Sequence, residues 1–369
     1  IWTVHGFDFS PNGDLSGDFG WSEKLSSLGW KAKWIRAFRE NHLLPESWLY
    51  GLAYTLNSMV SRRAYLCGQY STDGWWWYFP YSFLVKTPVA TLLIMVLAIF
   101  AYREKKEVSS WLKPVVLFCL FYAVVLLVSS FNIGQRHALP LFSALAILVG
   151  KVHIWLQAAR GKLRYILLSL LMVLVVESLS VFPHYISFFN LAIGGPAAGR
   201  HHLVDSSLDW GQDIERLVKV LRVKRKEGVV TPFYCALFGP RACSVLEVEN
   251  THLISLRPFQ IAEARKRLKG GLYCISAHVL QSMTFNYGFW GKWDKRKEEL
   301  YLSLKKQIER QSSSCNRVTL RRYATARLAR LCSFLRHRKS DEHVGYSIYL
   351  YQIDEVELSK WLAEPKNLH

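Results

Sequence analysis

The sequence predicts a membrane α-helical bundle followed by a small soluble α/β domain. Four long apolar runs fill the stretch from Ser82 to Phe182, each of a length that crosses roughly 30 Å of hydrocarbon. The polar links between them are lopsided. One side carries Arg103, Lys105, Lys106 and Lys113, then Lys151, Arg160, Lys162 and Arg164, while the other has the short Asn132–His137 turn. Beyond Phe182, strand-like and helix-like runs alternate, the pattern of a small α/β domain. Basic short loops stay in the cytoplasm. The chain is therefore expected to be a multi-pass protein of a plasma or inner membrane, with residues 1–81 and 183–369 extracytoplasmic.

In chain order, residues 1–81 read as an extracytoplasmic loop with interfacial helices and an aromatic collar. Asp8 to Asp18 is rich in Gly and Asp and reads as loop. Trp30–His42 and Glu46–Met59 have apolar residues at helical spacing beside Trp and basic residues, and are too short to span. The collar is Gly74-Trp75-Trp76-Trp77-Tyr78-Phe79-Pro80. Four spans follow at Phe83–Tyr102, Leu112–Phe131, Ala138–Leu156 and Leu163–Phe182, with Pro88, Pro114 and Pro140 in first turns, where Pro is tolerated. Residues 183–369 are expected to hold an amphipathic helix within Val204–Lys226 and strands at Pro232–Phe238, Gly271–Ser276 and Tyr346–Ile353. Further helices are expected at Pro258–Leu268 and Trp293–Gln311. Arg317–Arg338 reads as a basic helix with a solvated or lipid-facing surface.

Lys and Arg outnumber Asp and Glu to give a formal charge of +19. No nucleic-acid motif accompanies that charge, so anionic lipid is the expected partner and nucleic acid is not. Seven Cys show neither paired metal-ligand spacing nor a dense disulfide framework. The chain opens at Ile1 without an initiator Met and reads as a portion of a longer protein.

The predicted topology brings scattered polar residues to one level. Lys86 begins the first span at its outer face, Arg136 and His137 occupy an outer turn, and His184 follows the last span. Such cations and imidazoles suit a phosphate whose lipid tail stays in the bilayer, with Arg as a fork and Lys as a point charge. The plainer reading has Lys86 snorkelling to headgroups. Glu177 lies inside the fourth span as an intramembrane acid, where an isolated carboxylate is costly, so it is expected to be functional or to pair with Arg136. A second constellation runs from Val204 to Asp213. Asp205, Asp209 and Asp213 recur every four residues, which on one continuous helix would align three carboxylates. With Trp210 and Gln212 they form a candidate acceptor or cation site, and a divalent cation is the one cofactor they suggest. The structural alternative makes Asp209 an N-cap and Gln212 its capping-box partner. No nucleophile triad, P-loop or dinucleotide Gly motif is evident.

Several of these stretches resemble bacterial members of glycosyltransferase family 39. They are Gly68-Gln69-Tyr70-Ser71-Thr72-Asp73-Gly74-Trp75-Trp76, Tyr78-Phe79-Pro80 and Lys86-Thr87-Pro88. Asn132 to Pro140, Phe182 to Asn190, Val204 to Asp213 and Gly345-Tyr346-Ser347-Ile348 extend the resemblance over most of the chain. That family is similar to the protein mannosyltransferases and other GT-C membrane enzymes. The resemblance implies the C-terminal part of a GT-C-like fold, a polyprenyl-phosphate-linked sugar as donor, and transfer on the extracytoplasmic face. It also implies that the outer cationic cluster holds the donor's phosphate. In GT-C enzymes the catalytic carboxylate generally comes from the first extracytoplasmic loop, which this resemblance sets upstream of Ile1. The expected function is therefore a membrane glycosyltransferase, or its C-terminal portion, acting on a protein, lipid or glycan acceptor. The alternative from another class is a non-catalytic membrane protein that binds lipid phosphate or acts as an assembly partner.

Overall fold

A computed structural model describes all residues except 2, 5, 7, 8, 10–19, 27, 61, 105–111, 151–160, 255–267, 311–315 and 364–369. The helix expected at Pro258–Leu268 falls almost wholly outside the described residues, as do most of Asp8–Asp18 and the basic residues Lys105, Lys106, Lys151 and Arg160. By internal contacts the chain divides into two compact units. The first comprises Ile1–Ala64 with Ser71–Trp75 and Ser129–Asn132, and the second holds the remainder.

The first unit is built on α1 (Trp21–Ser26), α2 (Trp30–Glu40) and α3 (Glu46–Val60). These helices form a core of their own, in which Trp21, Leu25, Ala32, Ile35, Leu49 and Ala53 are buried together. Glu46 ties the three helices, accepting from Trp21 Nε1 at 3.2 Å and Arg39 Nε at 2.7 Å. Two short strands follow, β1 (Ala64–Leu66) and β2 (Gln69–Ser71).

The second unit opens with apolar helices α4 (Tyr78–Lys86), α5 (Val89–Glu104), α6 (Lys113–Val128), α7 (Leu139–Val149) and α8 (Lys162–Ser180). Helix α5 packs on α7 and α8, and α6 on α7. The continuous span expected at Phe83–Tyr102 is not formed. The chain turns by 110° between α4 and α5. Pro88 causes the break: it has no N–H to give the helix, and it drives the residue before it into extended geometry. Thr87 accordingly sits at φ −101°, ψ 133°. The bent pair α4–α5 has the combined length and apolarity of a span, but no single helix among the described residues is long and apolar enough to cross a membrane. Helix α7 ends at Val149 with Gly150 at its C-cap, and residues 151–156 of the third expected span lie outside the described residues. The outward surfaces of α6 and α8 are nonetheless strongly apolar, exposing Leu117, Phe121, Val128, Met172, Val176 and Leu179.

Helices α9 (Gly195–His202) and α10 (Ile214–Lys226) lead into a mixed five-stranded sheet. Its strands are β3 (Phe233–Ala236), β4 (Thr251–Leu253), β5 (Gly271–Ser276), β6 (Glu342–Val344) and β7 (Ile348–Ile353), in the order β4-β3-β5-β7-β6. Strands β4, β3 and β5 run parallel, while β7 is antiparallel to both β5 and β6. Strands β3 and β5 are buried along their whole length, as expected of a sheet covered on both faces. Phe233, Cys235, Cys274 and Leu350 share a core with Ile214, Leu217, Val218 and Leu221 of α10. The alternate residues Tyr234 and Tyr273 stack at 4.8 Å. The six described cysteines are free thiols.

Helix α11 (Ala277–Leu280) is one turn; α12 (Lys295–Arg310), α13 (Arg317–Leu335) and α14 (Glu355–Ala363) complete the unit. Helix α13 corrects the expectation of a solvated basic helix. From Ala324 to Cys332 every residue is buried, Arg327 and Arg330 included. The Arg330 side chain is 0% exposed and forks onto Glu298 of α12, Nη2 to Oε1 at 2.7 Å and Nε to Oε2 at 3.0 Å. Trp293 Nε1 donates to the same carboxylate at 2.8 Å, and the Tyr301 ring lies 4.9 Å from the guanidinium carbon. A buried cation is tolerable only with such partners.

Candidate functional site

Four short segments of the second unit meet beyond the ends of the apolar helices. Gln135–Ala138, Tyr185–Ser187 and Asp205–Ser207 are single 3-10 turns, and 345–348 leads into β7. Hydrogen bonds join them in sequence. Ser206 Oγ donates to the Ile133 carbonyl at 2.8 Å, and Ser207 Oγ accepts the Gln135 N–H at 3.3 Å. Ser187 Oγ lies 3.3 Å from the Leu208 carbonyl and 3.0 Å from that of Gly345. Ser347 Oγ donates to Asp213 Oδ2 at 2.7 Å.

Lys86, the last residue of α4, points into this junction rather than snorkelling away from it. Its Nζ donates to the Ser207 carbonyl at 2.6 Å and the Ile186 carbonyl at 2.8 Å, 4.4 Å from the centre of the Phe189 ring. Those two bonds use two of three ammonium donors. Arg136 is exposed and stands over the Trp210 indole at 4.7 Å, a cation–π placement that holds the guanidinium at the surface. Trp210 is itself 46% exposed. His137 is half-buried, and its carbonyl accepts the Tyr122 hydroxyl at 2.8 Å.

His184 belongs to a different neighbourhood of the junction. Its Nδ1 is 2.6 Å from Arg216 Nη1 and 3.5 Å from Asp213 Oδ1, and its ring meets Tyr346 edge-on at 5.7 Å. A guanidinium only donates, so Nδ1 is the acceptor and Nε2 carries the proton. Arg216 also donates to Asp213 Oδ1 at 2.8 Å. Gly345 makes room for this arrangement. Its φ is +60°, and a Cβ there would run into the Asp213 carboxylate.

Glu177 does not pair with Arg136. It is 2% exposed, and its two oxygens accept the Val89 N–H at 3.1 Å and the Leu191 N–H at 3.2 Å. The acid thereby satisfies the first N–H of α5, which the break at Pro88 leaves without a helical partner. A carboxylate at a helix start also meets the positive end of the helix dipole.

The aspartates depart from both expectations. Asp205, Asp209 and Asp213 do not line one helix face. Asp205 is in a 3-10 turn with φ +59°, its Oδ1 accepting the Ser206 N–H at 2.7 Å. Asp209 is in the following loop, and Asp213 takes the N-cap position of α10 without a side-chain capping bond. The Asp209–Gln212 capping box is likewise not formed. Gln212 Oε1 accepts the Trp210 N–H at 2.8 Å, and its Nε2 donates to the Leu208 carbonyl at 2.9 Å. Asp209 is buried at the carboxyl ends of the parallel strands β3 and β5, where it accepts the His278 N–H at 3.1 Å and the Gly211 N–H at 3.2 Å. Burial pushes its carboxyl up from 3.8 to about 7, against the lowering effect of those hydrogen bonds. Among the described residues no group of three His, Cys, Asp or Glu side chains could share a metal ion. The three aspartates thus do not form the divalent-cation site that their spacing suggested.

Ser187, Ser207, Arg216 and Ser347 escaped the sequence reading. Arg216 had a signal, since it lies three residues after Asp213 on what proves to be a helix. The serines bond across long sequence separations, which no local pattern reveals. No family model matches the chain, and no curated protein or solved structure matches it either.

Proposed function

We propose that the chain is a membrane glycosyltransferase, or the C-terminal portion of one, that takes a sugar from a polyprenyl-phosphate-linked donor. Transfer would occur on the extracytoplasmic face, to a protein, lipid or glycan acceptor. The observation that carries this reading is the exposed Arg136 guanidinium, held over Trp210 where the four segments meet. Arg can grip a phosphate through two parallel N–H bonds. As the bond from the sugar's anomeric carbon to the phosphate oxygen breaks, negative charge grows on the departing polyprenyl phosphate. A preorganised guanidinium stabilises that charge. Lys86 is linked to Arg136 through Ser207 and the Gln135 N–H, and would add positive charge to the same region when protonated. His137 remains a candidate donor to the same phosphate, whereas His184, engaged by Arg216 and Asp213 in another part of the junction, has only its Nε2–H for that role.

The lipid part of the proposal draws on the apolar helices. Their exposed Leu, Val and Phe side chains suit acyl chains better than water. A cavity of about 420 Å³ between α5, α7 and α8 is lined by Ile94, Met95, Phe142, Ala146, Leu167 and Leu171, a chemistry that suits an isoprenoid tail. The orientation in the membrane is part of the same proposal, resting on the uneven Lys and Arg of the interhelical links.

One observation favours the non-catalytic alternative, a binder of lipid phosphate. Asp209 and Asp213 are buried and hydrogen-bonded, so neither is open to an acceptor hydroxyl. Binding of polyprenyl phosphate to wild-type and Arg136→Ala protein in detergent tests the phosphate assignment common to both readings. Loss of binding in the variant, with an unchanged melting temperature, is the expected result. Equal binding would remove the assignment.

A further inference from the structure

Helix α2 of the first unit has two faces with separate chemistries. Ala32 and Ile35 are buried against α1 and α3, whereas Trp30 is 69% and Trp34 61% exposed. At about 100° per residue the two indoles lie within about 40° of each other around the helix, on the side away from Ala32 and Ile35. The exposed Lys31 and Lys33 fall to either side of the pair, about 60° from the nearer indole, and the exposed Arg36 lies beyond Lys33. None of these three cations pairs with a carboxylate among the described residues, unlike Arg39, which is held by Glu46 at 2.7 Å. Two bulky indoles kept in the open, and bracketed by uncommitted positive charge, do not serve the core of this unit.

We infer that this face of α2 docks on a membrane surface containing anionic lipid. Trp30 and Trp34 would enter at headgroup level, where an indole buries its apolar ring and keeps its N–H wet. Lys31 and Lys33 would contact lipid phosphates around them, with Arg36 farther round the helix adding to the positive field. The occupant is an anionic lipid surface and not an acidic protein, because Lys31 and Lys33 flank the aromatic pair on both sides, each about 80° from its midpoint, and so lie roughly at the plane of a flat interface. The inference goes beyond the sugar-transfer proposal and does not rest on it, since it requires lipid and no donor.

The test uses the full chain with vesicles of phosphatidylcholine alone, or of phosphatidylcholine mixed with phosphatidylglycerol. Each is prepared with and without bromine near the headgroup end of the acyl chains. Subtracting the fluorescence of the W30F/W34F variant from that of wild type isolates the two indoles, and neither substitution touches the Ala32–Ile35 face. Bromine is expected to reduce this difference signal roughly twofold in the anionic vesicles and less in the neutral ones. K31E/K33E is expected to abolish the gap between the two lipid compositions. A difference signal blind to bromine, equal quenching in both compositions, or no association with either vesicle would overturn the inference.

Discussion

The Glu177 carboxylate accepts the Val89 N–H at 3.1 Å, so an acid from α8 closes the start of α5 just after Pro88. Its other oxygen accepts the Leu191 N–H at 3.2 Å. The same residue thus holds the bend between α4 and α5 and the chain that follows α8. Lys86, which closes α4, is aimed by that bend at the carbonyls of Ile186 and Ser207.

Replacing Glu177 with Ala strands two backbone N–H groups away from water. A loss of roughly 2–4 kcal/mol is expected. Gln keeps one carbonyl acceptor and should lose less. Thermal unfolding in detergent checks both, and an Ala variant as stable as wild type would contradict the role given to Glu177.

The Arg330–Glu298 pair supports the packing of α12 on α13. Arg330→Met leaves a buried carboxylate without its cation and is expected to cost about 3–5 kcal/mol. Adding Glu298→Gln to that variant should restore part of the loss, because the stranded charge is then gone. Unfolding of the single and double variants measures this coupling directly.

Asp209 makes stability depend on pH with a defined sign. Its carboxyl is pushed up to about 7 in the folded protein, from 3.8. Below about pH 4 both folded and unfolded chains are protonated there, and the group has no effect. Between about pH 4 and 7 only the folded protein keeps the proton, so stability falls as pH rises through that window and levels off above it. The full drop is on the order of 4 kcal/mol. Asp209→Asn should flatten this slope, as read from denaturant midpoints at stepped pH.

Parts of this architecture are plain in the residues themselves. The Gly271–Ser276 strand follows from its Tyr, Ile and Leu content, and the amphipathic helix expected within Val204–Lys226 runs over Ile214–Lys226. The bend at Pro88 is not legible locally, because a Pro is equally at home in the first turn of a helix and the flanking apolar run suits either arrangement. The burial of helix α13 is hidden from local pattern for a different reason. Arg330 looks solvated until Glu298, 32 residues away in sequence, is seen to meet it. The aspartate spacing misled in the same way, since a period of four implies one face only on a continuous helix. Asp205 interrupts that helix with a left-handed backbone. What local pattern conveyed about the site was its composition; what it missed was the set of serine and carbonyl bonds that join the segments.

The most direct test of the account is sugar transfer from a radiolabelled polyprenyl-phosphate donor to membrane acceptors, by the full protein carrying Arg136→Ala. Transfer is expected to fall by about two to three orders of magnitude at unchanged expression and melting temperature, with Arg136→Lys retaining a fraction. Transfer at the wild-type rate by a well-folded Arg136→Ala protein would contradict the claim that this guanidinium carries the donor's phosphate.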